Sequence, residues 1–299
     1  MKKIPILDTV RYAYSFTFGH LGTIIGLIWL PMVITVVAGY FVMSHYYASV
    51  PDAVSAGNAT AAGQAGLLLL GWSLVSLLLS SIMYVAVTRQ ALGLRHGPAV
   101  VYFALGPAEF RVFGAVLGFF AIAIFFLMVD LLLINAARTL AAKIPMAGAA
   151  VALFAVVLLC GVAYALVRLS FLLIPATVAE QHVGLGRAWE LSGRNFWRIT
   201  AVGIAVLGPI TLVAVTAQVA IMGPATFLHN ATGVTHDTAQ QMKDMAAQMR
   251  DAAKHLPALY GLSFLMAPFF MGLALSGSAF AYRALTSAGP ANSGLHETA

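Results

Sequence analysis

Charge is what this sequence has least of. It carries 16 Lys and Arg and 10 Asp and Glu among 299 residues, 9% in all, against about 25% in ordinary soluble domains. So few charges cannot coat a soluble fold of this size. Intrinsic disorder is excluded from the other side, because 61% of the residues are apolar and disordered chains are poor in such residues. The single cysteine, Cys160, excludes a disulfide scaffold. No basic run extends beyond Lys2-Lys3. The net charge of +6 is therefore read as loop topology, and nucleic acid is not an expected partner. Gly-rich phosphate loops, paired catalytic carboxylates and Ser/His/Asp arrangements are missing. No catalytic residue, metal or cofactor is expected, and the chain is read as a non-enzyme.

In place of charge there are long apolar windows. Six stretches hold no Asp, Glu, Lys, Arg or His: Leu21–Ser44, Ala65–Thr88, Val112–Val129, Ile144–Val167, Ile199–Leu228 and Leu256–Tyr282. A membrane crossing takes about 20 such residues, and backbone groups in hydrocarbon must pair within their own segment. The expected fold class is an all-α integral membrane protein. Its six transmembrane helices form three hairpins, with amphipathic interfacial helices on the cytoplasmic side. Asp8 and Arg11 break up the first 20 residues, so the first helix is read as a retained anchor rather than a cleaved signal.

Orientation follows from the basic residues. With the N-terminus inside, the inner segments hold Lys2, Lys3, Arg11, Arg89, Arg95, Arg111, Arg187, Arg194, Arg198 and Arg283, and the outer loops hold Arg138, Lys143, Lys243, Arg250 and Lys254. This bias places both termini in the cytoplasm of a bacterium, with the chain in its inner membrane. Residues 1–285 read as a single membrane domain and 286–299 as a disordered cytoplasmic tail. A threefold repeat over 1–90, 91–170 and 171–285 is suggested by Phe18-Gly-His-Leu21…Pro31 against Phe196-Trp-Arg-Ile199…Pro209, an offset of 178. The returning helices end alike, on Tyr84…Arg89, Tyr164…Arg168 and Tyr282-Arg283.

Amphipathic segments supply the candidate binding residues. Across 185–198, Leu185, Trp189, Phe196 and Ile199 share one helical face with Ser192, while Arg187, Glu190, Arg194 and Arg198 share the other. Glu190 and Arg194 have the spacing of an ion pair. Near the N-terminus, Leu7, Val10, Tyr14 and Phe18 oppose Asp8, Arg11 and Ser15. Aromatic and aliphatic residues opposite arginine describe a helix at a membrane surface. Arg11, Arg187, Trp189, Arg194, Phe196, Trp197 and Arg198 are thus candidates for binding anionic lipid headgroups. Arg89, Asp130, Arg168 and Arg283 are read as charges at the membrane boundary. Arg168 is expected to anchor at the interface, reaching the headgroups with its long stem. Asp130 is expected to pair with Arg138 or Lys143.

Arg168-Leu-Ser-Phe-Leu-Leu-Ile-Pro175-Ala-Thr-Val-Ala-Glu180, Gly186-Arg-Ala-Trp-Glu-Leu-Ser192 and Asn195-Phe-Trp-Arg198 carry a resemblance. Together they look like the membrane domain attached to some bacterial glycerophosphodiester phosphodiesterases, and are similar to the YciC-type inner-membrane proteins of unassigned role. The resemblance implies an inner-membrane helical bundle without an activity of its own. Unlike the fused members, this chain has no room for a soluble catalytic barrel, so no phosphodiesterase residue carries over.

The outer loops offer less. Ser44–Gly66 is rich in Ala, Gly and Ser and reads as flexible. Residues 237–256 read as a helix whose stripe of Met242, Met245, Met249 and Leu256 is taken as a docking surface. With His229, His236 and His255 nearby, copper binding is the lesser reading. Gly22…Gly26 and Gly114…Gly118 allow close helix approach. Taken together, the chain is expected to bind or organise lipids or to scaffold a membrane complex. The alternatives are a transporter of small molecules or lipids, and an accessory subunit or homo-oligomer within a larger assembly.

Overall fold

A computed structural model describes residues 3–56, 58–95, 102–223 and 238–286. They form eight helices, and no strand occurs among them: α1 Ile6–Gly19, α2 Leu21–Ser55, α3 Ala59–Ala91, α4 Pro107–Ala141, α5 Pro145–Glu180, α6 Leu185–Ser192, α7 Phe196–Met222 and α8 Thr238–Thr286. Six of these, α2, α3, α4, α5, α7 and α8, are long and apolar enough to cross a membrane. The chain is a multi-pass membrane protein.

Local chemistry sets the helix ends. The Asn58 side chain accepts from the Ala61 N–H at 3.0 Å and starts α3. Pro107 and Pro145 occupy the first turns of α4 and α5, where a missing N–H costs nothing. Glu109 reaches back to accept from the Gly106 N–H at 3.0 Å. Gln181 takes a left-handed φ of 56° and ends α5.

The helices outrun the apolar windows. The Ser44–Gly66 stretch is not a flexible loop: α2 continues to Ser55 and α3 starts at Ala59. Alanine-rich polar segments keep their helical propensity beyond the hydrocarbon. The supposed outer-loop helix is likewise the beginning of α8, which runs on through Pro257 and Pro268. The side chains of Met242 and Met245, and His229 and His236, lie outside the described residues, as does the tail from 287 onward.

Packing is concentrated at one end of the bundle, the end that holds Ile4 and Thr286. There α1, α5, α6, α7 and α8 share a core around Leu172, Ile199, Val202 and Leu273. A second core joins Ile24, Leu27, Ile28, Met83, Ala86 and Ala279. A third joins Val85, Val112, Val116 and Val178. Beyond Val116, the buried residues of α4 are Asp130 and Ala137. The far half of the α4–α5 hairpin turns large apolar side chains outward, as Phe125, Leu132, Leu153 and Val157 show.

The helix α1 lies along α8. Tyr12 stacks on Phe280 with ring centroids 4.8 Å apart, the Ser276 hydroxyl, which donates to the Gly272 carbonyl at 2.6 Å, lies 3.4 Å from the Ala13 carbonyl, and Phe18 reaches Phe269 at 6.1 Å. Its buried face is Thr9, Ala13, Phe16 and Thr17, while Leu7 and Phe18 are exposed. The apolar stripe read from sequence divides: Leu7 and Phe18 are exposed, while Val10 and Tyr14 pack against the core. Small residues on the buried face allow close approach to α8. The closest approach is at Gly272: a Cβ there would stand 2.7 Å from the Thr17 Cγ2. Gly22 and Gly114, picked out by spacing, face open space.

Candidate functional site

The stretch 185–198 breaks into two helices. Between α6 and α7, Arg194 takes a left-handed φ of 60°. The Asn195 amide carbonyl accepts from the Ile4 N–H at 3.2 Å, and Asn195 Nδ2 donates to the Gly193 carbonyl at 3.3 Å. Arg198 Nη1 donates to the Ile4 carbonyl at 2.7 Å. The N-terminal strand of chain before α1 is thus clasped to the α6–α7 corner. The break overturns the expected Glu190–Arg194 pair. Arg194 lies outside the helix, and Glu190 accepts from Arg187 instead, at 3.2 Å.

Arg168 binds back onto α6 rather than reaching outward. Nη2 donates to the Trp189 carbonyl at 2.7 Å, Nε to the Ser192 hydroxyl at 3.2 Å and Nη1 to the Tyr164 hydroxyl at 3.3 Å. Its guanidinium carbon sits 3.8 Å from the Trp189 ring centroid. The residue is 9% exposed. The expected interfacial anchor is therefore a buried internal strut. The reason is length: α5 continues 12 residues past Arg168, so the side chain meets α6 before it meets solvent.

Glu180 is a hub that sequence reasoning did not select. Its Oε1 accepts from Arg187 Nε at 2.9 Å and from the Tyr282 hydroxyl at 2.9 Å. Its Oε2 lies 3.3 Å from His182 Nε2. Glu180 and Glu190 raise the pKa of Arg187 above its ordinary value by accepting its hydrogen bonds and offset its charge. Glu180 stands in the motif 168–198, but only the fold reveals that Tyr282 meets it. Arg89 lies 3.9 Å from Glu109, with Tyr102 between them donating to Glu109 at 2.7 Å. Arg283 covers the Tyr12 ring at 5.2 Å.

The candidate cations thus separate into two groups. Arg168, Arg187, Arg198, Arg89 and Arg283 are engaged within the protein. Arg11 and Arg194 are exposed and have no anionic partner among the described residues. Trp197, beside the corner, is 79% exposed and Trp189 is 41% exposed. Phe196 turns inward and packs on Tyr164 with centroids 4.6 Å apart. Free guanidinium groups beside exposed indoles can hold an anionic headgroup at a membrane boundary.

Asp130 departs from expectation. It is 4% exposed, and its Oδ1 has no hydrogen-bond partner. Neither Arg138 nor Lys143 pairs with it; both are exposed. Eight residues of helix place Arg138 about 80° around the axis from Asp130. Among the described residues there is no group of three or more His, Cys, Asp and Glu that could hold a metal. Comparison of the chain with protein-family models, with curated proteins and with solved structures gives no match.

Proposed function

We propose that the chain is a non-enzymatic protein of a bacterial inner membrane, with both termini in the cytoplasm, that binds anionic lipid headgroups at the end of the bundle holding α6. One observation carries the reading. Arg194 is held out at the α6–α7 corner by a left-handed backbone, unpaired, next to the largely exposed Trp197. A left-handed arginine carries a backbone cost, and here it keeps the cation off the helix face where Glu190 would neutralise it. Arg11, exposed on α1, adds a second free cation at the same end.

The experiment compares the wild type with Arg11→Glu/Arg194→Glu in mixed-lipid nanodiscs. Native mass spectrometry is expected to find phosphatidylglycerol retained over phosphatidylethanolamine by the wild type, and the preference lost in the double variant. Equal retention by both proteins would overturn the reading.

A further inference from the structure

The described part of the chain holds one buried carboxyl oxygen without a partner, on Asp130, and it lines a cavity. The cavity, of about 220 Å³, lies between α4 and α5. Its other walls include Ile124, Phe126, Leu127, Leu159, Val162 and Leu166. Phe126, Val162 and Leu166 also wall a second, larger cavity of about 340 Å³ on the same hairpin, lined further by Phe154 and Val157.

Asp130 stands 11 residues from the end of α4, about 16 Å along the axis. A hydrocarbon slab of about 30 Å centred on this 35-residue helix leaves about 11 Å outside at each end. A slab so centred puts the carboxyl group about 5 Å inside the hydrocarbon. An ionisable side chain at that depth is costly unless it is matched by a counter-charge. Among the described residues none pairs with it: Arg168 is committed to Ser192, Trp189 and Tyr164, and Arg138 and Lys143 are exposed and form no bridge to it.

We infer that the α4–α5 cavity binds an amphiphilic amine, whose ammonium group pairs with Asp130 and whose apolar chain lies against Phe126, Val162 and Leu166. A carboxylate alone among apolar walls selects a cation carried on an apolar body. An amine-headed phospholipid offers the same ammonium group, but it brings a phosphate, and no cation lines the cavity to receive it. Entry is from the lipid side, where the outward faces of α4 and α5 are bare apolar surface. This site is separate from the Arg194 end face and does not depend on it.

Cys160, the only cysteine and exposed on α5, sits between the lining residues Leu159 and Gly161 and can carry a bimane reporter. In phosphatidylcholine nanodiscs, a nitroxide-bearing alkylammonium is titrated against the labelled protein, with the uncharged nitroxide alcohol of equal chain length as control. Saturable quenching is expected for the ammonium probe. Asp130→Asn should weaken it at least about tenfold, the size of one modest interaction. Asp130→Glu should keep it, and the alcohol should not distinguish the three proteins. Competition by phosphatidylethanolamine at membrane levels would assign the site to lipid instead and overturn the free-amine assignment. Equal quenching of the wild type and Asp130→Asn, or no advantage of ammonium over alcohol, would overturn the site itself.

Discussion

The guanidinium of Arg168 lies 3.8 Å from the ring centroid of Trp189 and donates to the carbonyl of the same residue at 2.7 Å. One side chain of α5 thereby holds α6 through its ring and its backbone. A desolvated cation–π contact contributes about 2 kcal/mol, and a charged hydrogen bond about 1.5–3 kcal/mol. Arg168→Lys keeps the charge but loses the planar fork. Its thermal unfolding in detergent should show a loss of about 2–4 kcal/mol, with Trp189→Phe losing less. An unchanged melting temperature for Arg168→Lys would mean that the strut does not hold α6.

The contact of α1 with α8 rests on Gly272. A methyl group there meets the buried Thr17, whose Cγ2 would be 2.7 Å away, and the buried Ile24 at 3.0 Å. Gly272→Ala should destabilise by about 1–3 kcal/mol, the usual cost of overpacking. Gly22→Ala meets nothing within 4 Å and should be neutral or gain about 0.5–1 kcal/mol of helix propensity. Thermal unfolding of the two variants side by side checks the contrast.

Tyr102 ties the α3–α4 connection to Glu109. Its pKa rises from 10.0 to about 12, first through burial and then through the hydrogen bond it donates to Glu109. The folded state thus favours the neutral phenol. That stabilisation is fully present below pH 10 and fades as pH climbs to about 12. At neutral pH the wild type should melt above Tyr102→Phe, and the gap should close over this alkaline range. A gap that stays constant over this range would show that the stabilisation is not tied to the neutral phenol.

Much of the architecture was legible because hydrocarbon imposes simple rules. Each charge-free window lies largely or wholly in a long helix, since backbone groups in lipid have no other partner. The helix ends were less legible. Residues such as those of Ser44–Gly66 are polar enough to leave the bilayer and still helical enough to continue. On α1 the spacing separates an apolar from a polar side, but that Thr9, Ala13, Phe16 and Thr17 pack inward while Leu7 and Phe18 stay exposed depends on the neighbouring helices. At the candidate site, sequence spacing located the 185–198 region but not its pairings. Glu180 reaches Arg187 across the α5–α6 turn and Tyr282 across 102 residues of sequence. The solitary state of Asp130 depends on which way α4 faces, and spacing alone does not report that.

The proposed function rests on six crossings with the α6–α7 corner inside the cell. Site-directed labelling tests this directly. In a Cys160→Ala background, Asp52→Cys and Arg194→Cys place single thiols at opposite ends of the bundle, next to the α2–α3 turn and at the α6–α7 corner. With a membrane-impermeant maleimide on intact spheroplasts, we expect the thiol at 52 to react at once and the thiol at 194 only after lysis. Reaction of both from the outside, or the reverse order, would contradict the topology on which the proposed function rests.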